Sequence, residues 1–330
     1  MKKLILVLAL PLLWATLSSA QTAKDLYNQG LSKYDNKDYN GALADLNSAI
    51  AMNPNYDRAY HNRGLVKYAL RDYNGALADQ NQAITISPNY ANAYNDRGLV
   101  YVKLNNYDAA IKDFDKAIQL DPNYTRAYNN RALVKYAMKD YTGASGDYSR
   151  LIEMASNDAE GYSGRGLAKL GLKDYSGAVE DANRAIELNP NLAVAYVTRG
   201  NARYELRDDA GAMSDYNRVV VLQPDNVNVY YNLGQLYTRQ LKNDEAIASY
   251  QKYIVLAPGE WKGYKDLGDV YFYHVQNYDS SLYYYNKAKQ INPSEKMILQ
   301  NYGYSLVRLH RVPEALVVFN DEIRLLPDDP

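Results

Sequence analysis

The chain of 330 residues contains no cysteine and only three histidines. The absence of cysteine excludes disulfide bonds, thiol nucleophiles and zinc-thiolate sites. The histidines, His61, His274 and His310, are widely separated, and their spacing matches no metal-binding motif. We therefore expect no metal site and no cofactor.

The sequence also lacks an excess of charge of either sign. It has 37 basic and 38 acidic residues, which give a formal net charge of -1. Such a balance produces no field that would gather the phosphates of nucleic acid or an anionic lipid surface. We therefore expect no nucleic-acid partner.

Motifs of catalytic chemistry are missing as well. The sequence has no nucleophile motif, no Gly-rich phosphate loop and no metal-ligand helix. Carboxylates are abundant, but they recur at fixed intervals, where solvation, helix capping or ion pairing explains them. The sequence therefore predicts that the protein is not an enzyme.

The long apolar run of the chain lies at its amino terminus. Lys2 and Lys3 precede the apolar residues 4–17, which Thr16 interrupts, and the small residues Ser18 and Ala20 suit cleavage after Ala20. This arrangement is typical of a Sec-type signal peptide at residues 1–20. An uncleaved anchor is the alternative, but the run is shorter than the roughly 17 to 25 residues that span a bilayer. We expect a periplasmic or secreted protein of a Gram-negative bacterium, with no stable membrane insertion after cleavage.

The most prominent feature of the sequence is an internal repeat of 34 residues. Prolines recur every 34 residues, Ser156 takes the one missing position, and Pro293 and Pro327 continue the series after a single inserted residue. The regular prolines are Pro54, Pro88, Pro122, Pro190, Pro224 and Pro258. A fixed period of this length indicates stacked structural repeats. With each proline at place 32 of the frame, nine repeats form a single solenoid at 23–329: 23–56, 57–90, 91–124, 125–158, 159–192, 193–226, 227–260, 261–295 and 296–329.

Each repeat has the pattern of two packed helices. Small residues recur at place 8, as in Gly98, and at place 20, as in Ala110, and two small residues on facing helices allow a close approach. A polar break such as Lys139-Asp140-Tyr141 separates the helices, and its Asp can cap the second one. The second helix has an apolar stripe of helical period and ends before the proline.

These residues resemble the tetratricopeptide repeat (TPR) family. Repeat 3 alone supplies the family's spaced residues, namely Tyr94, Gly98, Tyr101, Ala110, Phe114, Ala117 and Pro122. The resemblance implies an all-α solenoid of helix-turn-helix hairpins that forms a right-handed superhelix. It also implies that the first helices line a concave groove that holds a peptide or a partner protein.

By the same resemblance, places 2, 5, 6, 9, 12 and 13 of the first helices face the groove, and we call this surface the groove face. Repeats 1 to 5 carry an apolar, Tyr-rich strip there with Asn or Asp beside it, and repeats 6 to 9 are more polar, with Asn201, Gln235, Asp269 and Tyr304 at place 9. The candidate binding residues are Asn28, Leu31, Tyr34, Asn62, Leu65, Tyr68, Asp96, Leu99, Asn130, Leu133, Tyr136, Leu167, Asn201, Asn232 and Lys262. Packing of the Leu and Tyr by adjacent repeats, with merely solvated Asn, is the alternative interpretation.

Three further features lead to separate hypotheses. Repeats 2 to 6 carry Arg at place 7 and Asp at place 23, which predicts buried Arg–Asp pairs either within a repeat or between neighbours. Asn201, Asn232 and Lys262 match part of a carboxylate clamp known in the family, whereas Val197 and Asp266 do not match it. Apolar residues of the last helix, Leu316, Phe319 and Ile323, are expected on its outer face, which would favour a homo-oligomer through that helix.

The function that follows from these features is a non-catalytic, exported scaffold that binds a protein or peptide in its groove. A glycan-binding module, which would use Tyr rings and Asn amides, is the alternative.

Overall fold

The computed structural model describes residues 21–325, so the predicted signal peptide at 1–20 lies outside the described residues. Residues 21–325 form eighteen α-helices and no strand, which confirms an all-α solenoid. Eighteen helices fit nine helix pairs, as the repeat frame predicts. Contacts divide the chain into two compact units, Met1–Asn130 and Arg131–Pro330, which we call the N-terminal and the C-terminal unit.

The helices alternate between a first and a second helix of each pair. The first helices are α1 Ala23–Asp35, α3 Asp57–Ala69, α5 Ala91–Lys103, α7 Thr125–Ala137, α9 Ala159–Gly171, α11 Ala193–Glu205, α13 Val227–Arg239, α15 Trp261–Asp269 and α17 Lys296–Arg308. The second helices are α2 Tyr39–Met52, α4 Tyr73–Ile86, α6 Tyr107–Leu120, α8 Tyr141–Met154, α10 Tyr175–Leu188, α12 Asp209–Leu222, α14 Asn243–Leu256, α16 Tyr278–Ile291 and α18 Val312–Leu325.

The turn between the two helices has the same construction in successive pairs. One residue adopts the left-handed backbone conformation, with φ between 57° and 65°, and this ends the first helix. The residues in this position are Lys37, Arg71, Asn105, Lys139, Lys173, Arg207, Leu241, Gln276 and His310. The Asp that follows Arg71, Asp72, then accepts a hydrogen bond from the backbone N–H of Gly75 at 2.9 Å. Asp38, Asp140, Asp174 and Asp208 cap their helices in the same way, so the capping prediction is confirmed.

The inserted residue of repeat 8 lies in its first helix. Residues Val270–Val275 continue α15 as a π-helical turn, which places one more residue in a turn than an α-helix does. In the other pairs the left-handed residue stands at place 15 of the frame, whereas Gln276 stands one place later. The π-helical turn therefore absorbs the insertion, and α16 keeps its register with the other second helices.

Close approach of the two helices depends on small residues, as the sequence predicts. Ala110 and the other alanines at place 20 are buried. A Cβ atom added to Gly64 or Gly166 would lie 3.4 Å from the carbonyl oxygen of Ala76 or Ala178 on the facing helix. Gly98 is tighter still, since its Cβ atom would lie 2.6 Å from the ring of Phe114.

The predicted Arg–Asp pairs are present and form within single repeats. Arg63 pairs with Asp79 at 2.6 Å and Arg97 with Asp113 at 2.7 Å. The same pairing joins Arg131 to Asp147, Arg165 to Asp181 and Arg199 to Asp215. All five carboxylates are buried.

Arg97 and Arg199 also contact the preceding repeat. The Nη1 atom of Arg97 donates to Asn81 Oδ1 at 2.7 Å, and Arg199 donates to Asn183 at the same distance. Each of these guanidinium groups therefore links its own helix pair to the second helix of the pair before it.

The last helix departs from the sequence prediction at one residue. Leu316 and Ile323 are 57% and 68% exposed, as expected for an outer face. Phe319 is not on that face, because its ring packs against Tyr304 at a centroid distance of 5.6 Å and covers Gly303. The physical reason is the place 8 glycine, which leaves room for a ring at place 24 here as Gly98 does for Phe114.

Candidate functional site

In the N-terminal unit, five of the predicted groove residues lie around one cavity. Tyr34, Leu65, Tyr68 and Leu99 line a space of about 160 Å³ together with Asp96. Gly64, Gln80, Val100 and Arg126 complete its lining. The apolar, Tyr-rich strip therefore forms one side of a real cavity rather than a filled helix contact.

The two tyrosines of this cavity are held by rings of the second helices. Tyr34 contacts Tyr39 at a ring centroid distance of 5.8 Å, and Tyr68 contacts Tyr73 edge-on at 5.5 Å. Burial raises the pKa of both Tyr34 and Tyr68, and the neighbouring tyrosine and Asp96 raise it further. Both hydroxyls therefore stay neutral at physiological pH and can donate or accept hydrogen bonds.

The amide groups predicted beside the strip are used within the protein. Asn62 donates to the hydroxyl of Tyr27 at 3.0 Å and to the carbonyl oxygen of Arg58 at 2.8 Å. Asn130 donates to Asn95 Oδ1 at 2.9 Å. These side chains are therefore neither merely solvated nor wholly available to a ligand, while Asn28 is exposed and Leu31 is half-buried.

A buried polar cluster surrounds Asp96 of this cavity, and the sequence predicted only Asp96 among its members. The Nε2 atom of His61 lies 2.7 Å from Asp96 Oδ2, and Asn95 donates to Asp96 Oδ1 at 2.9 Å. The hydroxyl of Tyr90 lies 3.1 Å from His61 Nδ1. Burial raises the pKa of Tyr90 to about 12, so its hydroxyl stays protonated and can donate a hydrogen bond to His61.

Gln80 is the second polar residue that the sequence analysis missed. It occupies place 24, where the other repeats have Ala, Leu, Phe or Tyr, and it is only 1% exposed. Its Nε2 atom donates to the carbonyl oxygen of His61 at 3.1 Å, but its Oε1 atom is buried without a hydrogen-bond partner. The sequence contains a signal for Gln80, because a polar residue stands at a place that is apolar in the other repeats.

In the C-terminal unit, the predicted groove residues Leu133, Tyr136 and Leu167 do not line a common cavity among those described here. Leu133 is 52% exposed. Tyr136 packs edge-on against Tyr141 at 5.3 Å, as Tyr34 and Tyr68 do against their own second helices, and Leu167 is half-buried.

Further along the same unit, two predicted asparagines line a cavity of about 330 Å³. Asn201 Oδ1 accepts hydrogen bonds from Asn232 Nδ2 at 2.7 Å and from the hydroxyl of Tyr216 at 2.9 Å. The two bonds fix the orientation of both amides. The remaining lining comes from Leu170, Gly171, Lys173, Tyr175, Tyr204, Glu205 and Gln235.

A second cavity of about 310 Å³ shares Tyr204 and Gln235 with the first. The guanidinium of Arg239 lies 3.5 Å from the ring centroid of Tyr204, and its Nη1 atom donates to the carbonyl oxygen of Tyr204 at 2.9 Å. Arg239 also pairs with Asp209. This contact holds the Tyr204 ring at the point where the two cavities meet.

The far end of the second cavity is acidic. Asp266 and Asp269 line it, and the ammonium of Lys265 lies 3.0 Å from Asp266 and 2.7 Å from Asp269. Burial raises the pKa of Asp269 even though Lys265 acts to lower it. Burial acts to lower the pKa of Lys265, but the two carboxylates more than offset it, so that pKa is raised.

Sequence reasoning identified this polar part of the groove face only in outline. Gln235 and Asp269 were recognised as the polar residues of place 9, whereas Tyr204, Thr238 and Arg239, from places 12 and 13, were missed. Lys262, the third residue of the partial carboxylate clamp, is exposed, and its ammonium lies 6.0 Å from the ring of Trp261. The carboxylate clamp therefore stays a prediction, and Asp266, which does not match it, lines the second cavity.

Residues 21–325 lack two kinds of feature. No group of His, Asp or Glu side chains in this part of the chain has the arrangement of a metal site. No helix in it has both the length and the apolar character needed to cross a membrane.

Models of the tetratricopeptide repeat match most of the chain. Two models described as tetratricopeptide repeat match residues 91–124 and residues 129–193 and 231–296. A third, described as TPR repeat, matches 30–71, 68–105 and 200–240. No curated protein matches the sequence.

Solved structures show the same fold at low sequence identity. A tetratricopeptide repeat protein from Parabacteroides merdae is 18% identical, with a TM-score of 0.60 over 76% of this chain and 99% of its own. The structure of the APC/C hetero-tetramer Cut9-Hcn1 is 16% identical, with a TM-score of 0.62 over 88% of this chain and 57% of the other. YrrB is 21% identical, with a TM-score of 0.50 over 56% of this chain and 96% of its own.

The helix pairs, the small residues at their contacts and the matches to the repeat models agree with one another. This chain belongs to the tetratricopeptide repeat family.

Proposed function

We propose that the protein is a non-catalytic interaction scaffold that binds an extended segment of a protein or peptide on its groove face. The observation that carries this proposal is the pair of cavities in the C-terminal unit that meet at Tyr204 and Gln235. Each has a volume at the lower end of the range of about 300 to 1,000 Å³ that is usual for ligand pockets. Two such cavities in contact suit successive side chains of one chain better than a single compact ligand.

The groups around these cavities suit the chemistry of a polypeptide. Asn201, Asn232 and Gln235 supply amides, which can donate to a backbone carbonyl oxygen and accept from a backbone N–H. Tyr204 supplies a ring that Arg239 holds in place, and a fixed aromatic ring is a frequent anchor in protein interfaces. The acidic end at Asp266 and Asp269 would favour a basic residue of the ligand.

The fold gives this proposal support by analogy. YrrB, one of the solved structures of the same fold, is described as a TPR protein with an unusual peptide-binding site. A shared fold does not by itself transfer a site, so the proposal depends on the cavities of this chain. No comparison supports the alternative of glycan binding.

Binding to a library of unrelated peptides displayed on phage tests the proposal. The selected peptides should lose tenfold or more in affinity for Tyr204→Ala and for Gln235→Ala, because both residues line both cavities. Glu180→Ala, at an exposed residue of α10, is the matched control and should bind as the parent does. Selection of no peptide, or equal binding by all three variants, would contradict the proposal, and competition by envelope sugars alone would favour the glycan alternative.

Export is a separate part of the proposal, based on residues 1–20 alone. The expected result is that the protein is recovered from the periplasmic or secreted fraction of a Gram-negative host with a mass that corresponds to a chain beginning at Gln21. Recovery of an uncleaved chain in the membrane fraction would favour the anchor instead.

Self-association through α18 is a further proposal. Leu316 and Ile323 leave an exposed apolar face on this helix. Sedimentation should therefore show a mass that increases with protein concentration, and Leu316→Lys should abolish the increase. A mass that is independent of concentration in the parent protein would reject this proposal.

A further inference from the structure

Six aspartates of the described residues are buried, and one of them differs from the rest. They are Asp79, Asp96, Asp113, Asp147, Asp181 and Asp215. Five pair with an arginine of their own repeat. Asp96 has no lysine or arginine partner within residues 21–325, although it is only 8% exposed. A buried carboxylate without a lysine or arginine partner is costly to desolvate, so its environment needs an explanation.

His61 is the imidazole partner of Asp96. It touches Asp96 through Nε2 at 2.7 Å, and it would carry a charge only if it were protonated. Tyr90, whose hydroxyl faces Nδ1 at 3.1 Å, retains its proton because burial raises its pKa to about 12. Each ring nitrogen of His61 therefore has a partner, which is Tyr90 at Nδ1 and Asp96 at Nε2.

A buried acceptor without a donor lies at the same cavity. Gln80 lines it, is 1% exposed and has a buried Oε1 atom with no hydrogen-bond partner. An unsatisfied buried polar atom costs desolvation free energy, which makes this Gln an unfavourable choice for packing alone. Repeat 1 has Leu46 at the equivalent place, fully buried, which shows that the frame accepts an apolar residue there.

The walls of the cavity complete the chemical description. Leu65, Leu99 and Val100 give it apolar sides, and Tyr34 and Tyr68 give it two rings. Aromatic rings attract a cation through their faces, and aliphatic walls suit an alkyl stem. The cavity thus combines a carboxylate that has no lysine or arginine partner in residues 21–325, an amide oxygen without a hydrogen-bond donor, two rings and an apolar lining.

We propose that this cavity, which we call the amine pocket, binds the ammonium group at the end of an alkyl chain, as in a lysine side chain of a bound protein segment. The ammonium has three donors and a positive charge, so it would give Gln80 Oε1 its missing donor and would place an aliphatic cation beside Asp96, which accepts from Asn95 and contacts His61. This inference rests on the proposed function in so far as the lysine belongs to a bound segment. The pocket itself can be tested with a small amine.

Arg126 would repel a cationic ligand, so its replacement tests whether the charge of the ligand is positive or negative. It lines the same cavity but is exposed, so water screens its charge and it makes no ion pair with Asp96. A cationic ligand should bind more tightly to Arg126→Ala than to the parent protein. A carboxylate ligand would behave in the opposite way.

The experiment is an NMR titration of the purified protein with Nα-acetyl-lysine methylamide. The side-chain amide of Gln80 is the reporter, and the norleucine analogue and the Nε-acetylated lysine analogue are the matched ligands without the charge. The lysine compound should produce saturable shifts of the Gln80 amide, and the two neutral compounds should bind at least tenfold more weakly. Absence of saturable shifts with the lysine compound, or equal binding of the norleucine analogue, would overturn the inference.

Variants separate the pocket from general effects on folding, and because Gln80→Leu lacks the NMR reporter, their binding is measured by isothermal titration calorimetry. Asp96→Asn and Gln80→Leu should each weaken binding of the lysine compound tenfold or more, and Gln80→Leu should fold because Leu46 occupies the same place in repeat 1. Asp108→Asn changes an exposed carboxylate of α6 in the same way and should bind as the parent does. Unchanged binding by a folded Gln80→Leu, or weaker binding by Arg126→Ala, would reject the pocket.

Failure of the amine pocket and failure of the scaffold proposal give different results. Peptide binding that depends on Tyr204 and Gln235, without saturable binding of the lysine compound, would reject the amine pocket alone. Saturable binding of the lysine compound without any selected peptide would reject the scaffold proposal and leave a small-amine site.

Discussion

Buried Arg–Asp pairs are the residue-scale feature that ties the helix pairs together. In the N-terminal unit, Arg97 binds Asp113 of its own repeat through two nitrogens and reaches Asn81 of the preceding repeat with a third. In the C-terminal unit, Asp181 has two cationic partners, because Lys169 lies 2.8 Å from it as well as Arg165. A pair of this kind costs desolvation free energy, so its loss should depend on what remains beside the carboxylate.

The first prediction compares two arginines. Arg97→Leu should lower the free energy of unfolding by roughly 3 to 5 kcal/mol, because the carboxylate of Asp113 would be buried with no other cationic partner in residues 21–325. Arg165→Leu should cost less, because Lys169 remains on Asp181. Urea denaturation of both variants measures the difference, and equal stability of the parent and Arg97→Leu would contradict it.

A double substitution provides the control for this prediction. Repeat 7 has Leu233 and Ser249 at the places of Arg and Asp. Arg97→Leu combined with Asp113→Ser should therefore be more stable than Arg97→Leu alone, since the stranded charge is removed. A double variant less stable than the single one would show that the arginine acts through packing rather than through charge.

The second prediction concerns the place 8 glycines. Gly98→Ala should destabilise the protein by about 1 to 3 kcal/mol, because the new Cβ atom would lie 2.6 Å from the ring of Phe114. Gly166→Ala should be neutral or stabilising, since its Cβ atom meets nothing closer than 3.4 Å and Ala is the better helix former. Thermal melting monitored by circular dichroism distinguishes them, and the opposite order of stability would refute the packing argument.

What the sequence predicted at this scale depended on repetition. The Arg and Asp recur together, so their pairing could be predicted. Pairing within a repeat and pairing between neighbouring repeats use the same residue types, so the sequence could not distinguish the two. His61 and Gln80 each occur once in the frame at their places, so periodicity had no pattern to detect. Their hydrogen bonds arise from three-dimensional packing of α3, α4 and α5.

At the scale of elements, the helix-turn-helix unit is fixed by its turn. A left-handed residue ends the first helix and the next residue caps the second, as in Arg71 and Asp72. Helix bounds were therefore largely predictable from the polar breaks and the prolines. The π-helical turn at Val270–Val275 was not, because a one-residue insertion can be absorbed in a loop or in a helix and the sequence contains no signal that selects the helix.

The third prediction tests the cap. Asp72→Ala should cost about 1 kcal/mol, because the N–H of Gly75 loses the acceptor that now lies at 2.9 Å. Asp72→Asn should retain most of that stability, since Asn106 caps α6 through the N–H of Ala109. Chemical denaturation of the two variants under identical conditions measures both values. Equal losses for Ala and Asn would show that the charge of Asp72, and not its hydrogen bond, stabilises the turn.

At the scale of the whole molecule, the repeat frame separates framework from candidate binding surface. Residues that recur with the prolines form the helix contacts of both units, whereas the cavities are lined by residues that vary between repeats, such as Tyr34 and Asp96 in one unit and Tyr204 and Gln235 in the other. Family membership could be predicted from the repeats. Only part of the cavity lining could be, because the second helices contribute Gln80 and Tyr216 from places that the frame assigns to packing.

The measurement that tests the central claim most directly is photo-crosslinking in the cell from single positions on the protein. A photoreactive residue placed at Tyr68 or Gln235, on the groove face, should form covalent adducts with the same small set of proteins or peptides in repeated experiments. The same residue at Lys112 or Glu180, exposed positions of the second helices α6 and α10, should not form them. Adducts at Lys112 and Glu180 with none at Tyr68 and Gln235 would contradict the claim that the groove face binds the partner.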